Sequence, residues 1–372
     1  MYLVEWHTHS AQRRLPEEFS KTYKQFAQAR QRQAQGLSSD FDKAGNWREK
    51  ACDDPDGGHS VYEMNDTYIE LRTPFDEKRG MVTAGALSFL VPMVGIALPT
   101  LFAHDIPDLY WWFTGQQDRL DHVFTGIDIL FMVLSVLLLV GVTIAAFYFG
   151  WKYWRLEAFV QRRLLVRFNR KTRKVYVHRP GYAGGVVALD WEECLSTERD
   201  PSKLKPRNRP DSAMPLILTW PPDRTGHDLM EMIYIGRWPR RVRESLQLWE
   251  FIRRYMEEGP ESVPQPKRLG RFPWPWKSVS AALSLIWPLL SGISLRWTVP
   301  LLVLISPAIA IFATAQWVAL LTCWEPVWPK AIRQACEDGA WPWLRDRLID
   351  LGAWAMLAAL VWVVLRGVYG VG

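Results

Sequence analysis

Residues 129–151 read ILFMVLSVLLLVGVTIAAFYFGW, a run of 23 residues without a charged side chain. As an α-helix such a run is about 35 Å long, which exceeds the ~30 Å hydrocarbon core of a bilayer. A second uncharged run covers residues 81–102. Together the two runs predict a transmembrane hairpin over residues 81–151.

Three further apolar stretches lie in the last hundred residues, at 279–295, 297–323 and 351–365. Segment 279–323 fits either two spans that turn around Arg296, or an interfacial helix followed by one long span. Many of the 21 tryptophans flank these stretches, which is typical of side chains at the membrane–water boundary. We therefore predict an α-helical membrane protein with about five transmembrane segments.

The charged residues indicate an orientation. Of the 45 lysines and arginines, 12 lie in residues 1–80 and 26 in residues 152–278, whereas residues 103–127 contain only Arg119. Since loops rich in Lys and Arg stay on the cytoplasmic side, the N-terminus and the 152–275 region are predicted to be cytoplasmic. This uneven distribution excludes a simple soluble enzyme, a disordered chain and a disulfide scaffold.

These patterns divide the chain into six predicted regions. They are a cytoplasmic N-terminal region (1–80), the transmembrane hairpin (81–151), a cytoplasmic domain (152–275), transmembrane segments (276–323), a basic, Trp-rich loop (324–350) and a last transmembrane segment (351–372).

The N-terminal region is predicted to contain one amphipathic helix over residues 16–35, because Phe19, Tyr23 and Phe26 fall on one stripe. Before it, His7 and His9 are two residues apart. On a strand they would point the same way and suit a metal ion. No third ligand has a recognisable spacing, so a polar tail is the preferred interpretation.

The cytoplasmic domain is predicted to be α+β. Strand patterns occur at 164–168, 174–178, 186–191, 216–220 and 232–235, and residues 61–72 also have strand character. An amphipathic helix follows at 241–258, with Gly259 and Pro260 as its stop. Antiparallel strands closed by one helix resemble, in element order alone, a pleckstrin-homology-like module.

Residue patterns for catalysis are not found. No Ser or Cys lies in a nucleophile elbow, and the glycines of 181–185 lack the Lys-Ser/Thr ending of a phosphate loop. We predict no catalytic, metal or cofactor-binding residues and no cofactor. The one candidate contact surface is basic: Lys203, Lys205, Arg207 and Arg209. It fits a solvated loop, contact with anionic lipid headgroups, or contact with nucleic acid, in that order of preference.

A family resemblance rests on three features: WEFIRRYMEEGP at 249–260, NDTYIELR at 65–72 and the hairpin of 81–151. They resemble an uncharacterised family of proteobacterial multi-span membrane proteins that is often associated with type VI secretion toxin systems. The resemblance covers roughly residues 60–275. It implies an immunity, adaptor or accessory role at the bacterial inner membrane, and it supplies no site residues.

These observations lead to a non-enzymatic membrane protein that recognises another protein and contacts membrane lipids, and the resemblance implies that this protein partner is a secreted toxin. A nucleic-acid partner is not expected, and the residues do not specify an oligomeric state. The alternative is a membrane scaffold or lipid-binding protein that uses the pleckstrin-like module. Transport is disfavoured, because the predicted spans place no ionisable group at mid-membrane depth.

Overall fold

A computed structural model describes residues 2–14, 50–93, 98–114, 126–196, 215–226, 229–239, 241–290 and 294–369. The chain divides into two compact units. Met1–Arg79, Val160–Trp274 and Leu320–Gly372 form the first, called the sheet unit here. Gly80–Phe159 and Pro275–Ala319 form the second, called the helical unit.

The sheet unit contains a five-stranded antiparallel sheet in which each strand pairs with the next along the chain. Its strands are β1 (Val61–Met64), β2 (Tyr68–Leu71), β3 (Leu165–Asn169), β4 (Lys174–His178) and β5 (Val187–Asp190). Strands β2 and β3 are direct neighbours, with Tyr68 opposite Asn169 and Leu71 opposite Val166. The connection between these two strands therefore carries all of residues 80–159.

A second antiparallel sheet has the order β6-β7-β8. It is formed by β6 (Leu195–Ser196), β7 (Leu216–Trp220) and β8 (Glu231–Ile235), with a short helix, α6 (Pro222–Thr225), between the last two. Alternate residues of β8 are buried, as expected of a strand with one face on a core.

Helix α7 (Val242–Glu257) follows the strands and packs on the core of the sheet unit. Its buried face carries Phe251, Ile252, Tyr255 and Met256, at spacings that place them on one side of a helix. The chain turns at Gly259, whose φ of +101° favours glycine. The predicted combination of antiparallel strands with helices is confirmed, and α7 begins and ends within one residue of its predicted bounds.

The N-terminal residues form a helix rather than the predicted tail. Helix α1 (Leu3–Arg14) buries Glu5 and Gln12, and Tyr2 before it is buried as well. On a helix, residues two apart point in different directions, so the strand argument for a metal at His7 and His9 does not apply. The predicted amphipathic helix of residues 16–35 lies outside the described residues.

The helical unit consists of α2 (Met81–Pro92), α3 (Leu98–Thr100), α4 (Ile106–Thr114), α5 (Gly126–Trp154), α8 (Pro275–Leu290) and most of α9 (Leu295–Leu321). A π-helix, Leu101–Asp105, joins α3 to α4. The first turn of α2 is capped by Glu157, whose Oε2 accepts hydrogen bonds from the Thr83 backbone N–H (2.9 Å) and hydroxyl (3.1 Å).

Among the described residues, three helices are long and apolar enough to cross a membrane: Ile129–Trp154 within α5, Arg296–Leu321 within α9, and Ala340–Gly367 within α11 (Ala340–Tyr369). They support a membrane protein. The count of about five spans is not confirmed, because α2 and α8 are only 12 and 16 residues long as described.

Helix α11 belongs to the sheet unit and starts earlier than the sequence suggested. A short helix, α10 (Lys330–Ala335), precedes it. Residues 340–350, predicted as part of a loop, form the first three turns of α11, and Asp346 and Asp350 on those turns are buried. These turns are ordered by packing and ion pairs within the sheet unit, which a local sequence pattern does not reveal.

Candidate functional site

The predicted contact residues Lys203, Lys205, Arg207 and Arg209 lie outside the described residues, between β6 and β7. The structure therefore does not test the basic surface. It does reveal a different concentration of charge, buried inside the sheet unit.

Glu70, at the centre of this buried charge, is fully buried on β2. Arg167 lies directly opposite on β3 and donates to Glu70 Oε2 from Nη2 (2.9 Å) and Nε (3.2 Å). Trp328 Nε1 donates to the same oxygen (2.9 Å), and Arg271 donates to Oε1. Every oxygen of this carboxylate is thus held by donors, as a buried charge requires.

Glu325 forms a second centre after α9. Its Oε1 accepts hydrogen bonds from Arg162 Nη1 (2.9 Å) and from Arg163. Arg162 also donates to the Cys323 carbonyl (2.6 Å) and to Asp350 Oδ1 (3.2 Å) on α11. Arg162, which precedes β3 in the chain, therefore connects residues 323–325 with Asp350 on α11.

Arg271 joins the two centres. Its guanidinium contacts Glu70 and lies 3.6 Å from Glu63 Oε2 and 3.9 Å from both Glu325 Oε2 and Asp346 Oδ1. We call the whole set the arginine network. Its members are Arg162, Arg163, Arg167, Arg271 and Arg345 with Glu63, Glu70, Glu325, Asp338, Asp346 and Asp350.

The electrostatic balance keeps the central carboxylates ionised. Burial raises the pKa of Glu70, but Arg271 and Arg167 outweigh burial and lower that pKa from 4.5 to about 2. Burial likewise raises the pKa of Glu325, but Arg163 and Arg162 outweigh burial and lower that pKa overall. Carboxylates that stay ionised between several guanidinium groups at neutral pH are suited to holding segments together rather than to moving protons.

Aromatic rings complete the packing around the arginines. The Arg167 guanidinium lies 3.9 Å from the centre of the Tyr68 ring and 4.8 Å from that of Trp328. Such cation–π contacts favour a desolvated guanidinium. Within the part of the chain that the structure describes, no three His, Cys, Asp or Glu side chains are grouped so that they could hold a metal ion.

The sequence analysis missed the arginine network, although a signal for it exists. The core strand β2, YIEL, contains one acid, and β3, LVRFN, contains one base. A lone charge inside an apolar strand calls for a partner of opposite sign, and these two face each other.

Comparison with known protein families places part of the chain in a described family. Residues 143–339 match a family described as a family of unknown function (DUF6708). The matched segment begins inside α5 and includes most members of the arginine network, from Arg162 to Asp338. No curated protein and no solved structure matches the chain.

Proposed function

This chain belongs to the DUF6708 family of unknown function, and we propose that it is a non-enzymatic, membrane-anchored protein that recognises another protein through its sheet unit. The finer proposal is an immunity or accessory protein of a bacterial type VI secretion toxin system.

The arginine network is the observation that supports this proposal. It ties β1 and β2, the linker at Arg271, the turn at Glu325 and the first turns of α11 into one body. Ion pairs between distant segments favour one arrangement of those segments, and the surrounding arginines keep Glu70 and Glu325 ionised. A rigid body that continues into a span-length helix is suited to present a fixed surface at a membrane.

The finer role and the location rest on the sequence. The resemblance over residues 60–275 supports the link to toxin systems, and the excess of Lys and Arg in residues 152–278 supports a cytoplasmic sheet unit at the inner membrane. Under this proposal the partner is a toxin that reaches the cytoplasmic face of that membrane.

A bacterial competition assay tests the role. Deletion of the gene is expected to sensitise cells to attack by siblings that deliver a toxin encoded beside it, and the intact gene is expected to restore survival. A matched complementation with Glu70→Ala, which breaks the arginine network, should restore survival poorly. Deletion cells that survive sibling attack unharmed would rule out an immunity role.

A second candidate is lipid binding at the end of α5. There Trp151 and Tyr153 are exposed, Lys152 lies between them, and the Arg155 guanidinium is 5.6 Å from the Trp151 ring. Aromatic and basic side chains at a helix end suit the headgroup region. The full chain, purified in mixed micelles, would then enrich anionic over zwitterionic lipid in a salt-sensitive way, and a Lys152→Gln/Arg155→Gln variant would lose that enrichment.

A further inference from the structure

The charge-free part of α11 is shorter than a bilayer is thick. Residues 351–365 contain no charged side chain, and these 15 residues rise about 22 Å as a helix, whereas the hydrocarbon core of a bilayer is ~30 Å thick. Arg366 follows, with its guanidinium 5.2 Å from the centre of the Trp362 ring, as suits the far boundary of the membrane. A full-width span needs about five more residues at its N-terminal end, which leads back to residue 346.

The acidic residues in this N-terminal extension point into the protein. Asp346 and Asp350 are both buried, on the side of α11 that packs on the rest of the sheet unit. Asp350 Oδ1 accepts hydrogen bonds from Arg162 Nη1 (3.2 Å) and from the Glu325 backbone N–H (2.8 Å). Asp346 Oδ1 accepts one from Arg345 Nε (3.1 Å). Each carboxylate therefore has a cationic partner within the sheet unit.

The opposite side of the same turns is apolar. Trp341, Leu344, Leu348 and Leu351 are all at least 44% exposed, and spacings of three and four residues place them in one row, called the outer stripe here. Contiguous exposed apolar side chains of this size indicate a contact surface. Because α11 is one unbroken helix from Ala340 to Tyr369, the outer stripe continues directly into the charge-free part.

The exposed residues around the outer stripe fit a membrane boundary. Trp341 and Trp343 lie about 7 Å and 4 Å before residue 346 along the helix, and exposed indole rings are favoured in the headgroup region. Arg347 is exposed as well. Since side chains on a helix tilt towards its N-terminus, the Arg347 guanidinium can extend to the headgroups while its aliphatic stem stays beside the acyl chains.

We propose that the outer stripe contacts phospholipid acyl chains, so that the hydrocarbon boundary lies near residue 346 of α11. Asp350, about 6 Å further along the helix, then lies at the depth of the acyl chains. An unpaired carboxylate at that depth is costly, and its pairing with Arg162 on the protein side removes this cost. The inference rests on the membrane anchoring in the proposed function and adds the surface through which the sheet unit meets the bilayer.

Spin labels measure this contact directly. Cys52 is half-buried and the other three cysteines are buried, so a Cys52→Ser background accepts a label at one introduced cysteine. The full-length protein, in nanodiscs of phosphatidylcholine and phosphatidylglycerol, is labelled singly at Leu344→Cys, Leu348→Cys or Val363→Cys. Asp53→Cys is the reference in water, because the Asp53 side chain is 86% exposed. Collisions of each label with oxygen, which concentrates in hydrocarbon, are compared with collisions with a water-soluble nickel chelate.

The ratio of oxygen to nickel collisions is expected to be several-fold higher at Leu348→Cys than at Asp53→Cys, and close to the ratio at Val363→Cys in the charge-free part. An intermediate ratio is expected at Leu344→Cys, nearer the boundary. Melting temperatures verify that each labelled protein folds. If Leu348→Cys does not fold, the label at Leu344→Cys decides alone.

The outcomes separate this inference from the proposed anchoring. Ratios on the outer stripe equal to that at Asp53→Cys, with a high ratio at Val363→Cys, overturn the inference but not the anchoring, because the bilayer then thins around a short span. Few collisions with either reagent on the outer stripe also overturn it, since a second copy or another protein then covers this face. A low ratio at Val363→Cys overturns both.

Discussion

The sheet unit buries charges, whereas the helical unit exposes apolar side chains. Glu70, Arg162 and Glu325 have no exposed surface, yet Phe131 and Leu138 on α5 are each 68% exposed. In water both arrangements are costly. The first is stabilised by mutual pairing inside the protein, and the second requires a hydrocarbon solvent around α5. The sheet unit is therefore adapted to water and α5 to lipid. Removing a buried charge should destabilise the sheet unit, whereas adding a charge to α5 should impair membrane insertion.

The largest effect is expected when the protein is truncated to the cytoplasmic domain predicted from the sequence. A fragment of residues 152–275 lacks β1 and β2, so β3 loses its neighbour and Arg167 loses Glu70. We expect this fragment to remain unfolded by circular dichroism and to be degraded rapidly by protease.

The matched variant keeps both strands and deletes residues 80–159 from the full chain, with a short Gly/Ser linker in their place. Arg79 Nη2 donates to the Gln161 carbonyl at 3.1 Å, so the two ends to be joined lie close together. Slow hydrogen exchange in β2 and β3 is expected to survive. A stable, folded 152–275 fragment would contradict this prediction.

Glu70→Ala is expected to destabilise the sheet unit by about 3–5 kcal/mol, because it leaves Arg167 and Arg271 buried without their carboxylate. Hydrogen exchange in β2 and β3 should accelerate, while the integration of α5 into the membrane should not change. Normal exchange in this variant would show that the arginine network contributes little to stability.

Leu138→Arg places a charge near the middle of α5, on an outward face. It is expected to raise the free energy of membrane insertion of this helix by about 2.5–3.5 kcal/mol. A reporter of segment insertion measures the change, with Leu138→Met as the control. Unchanged insertion would indicate that this face of α5 does not contact lipid.

Acid should weaken the sheet unit selectively. The pKa of Glu70 is about 2 in the folded protein, below its ordinary value of 4.5, so its contribution is complete above pH 4.5 and is lost as the pH falls towards 2. The contribution of this one group is roughly 3 kcal/mol. Unfolding measured from pH 6 to pH 2 should show a smaller pH dependence in Glu70→Gln, and an identical dependence would count against the assigned pairing.

The smallest effect is expected at the exposed pair of Lys171 and Glu337, which are 50% and 58% exposed and 2.6 Å apart. Glu337→Ala should change the free energy of unfolding far less than Glu70→Ala does, because water screens a surface ion pair. A cost equal to that of Glu70→Ala would remove the distinction between buried and exposed pairs.

The sequence predicts the parts of this molecule that depend on neighbouring residues. The apolar run of α5, the strands β4 and β7 and the amphipathic stripe of α7 are all visible in local periodicity. The partners of Glu70 are not, because Arg271 lies 201 residues further along the chain. Helix α1 was missed for the same reason, since its Gln12 bonds to Met230, 218 residues away.

The candidate sites also differ in whether neighbouring or distant residues form them. The basic residues Lys203–Arg209 form a cluster that is visible in the local sequence, whereas the arginine network requires β2, β3 and α11 to meet. The strongest clue at the sequence level is an isolated charge inside an apolar strand, as in β2 and β3.

The placement of residues 80–159 between two paired strands also imposes an order on biosynthesis. Strand β2 leaves the ribosome about 90 residues before β3. At roughly 5–20 residues per second, the edge of β2 that pairs with β3 therefore stays unpaired for several seconds during synthesis. Glu70, mid-strand and still without Arg167, discourages that edge from pairing with other nascent chains, as charges on unpaired strands do. The acid that pairs with Arg167 in the folded sheet is therefore expected to oppose aggregation of the nascent chain before β3 is synthesised.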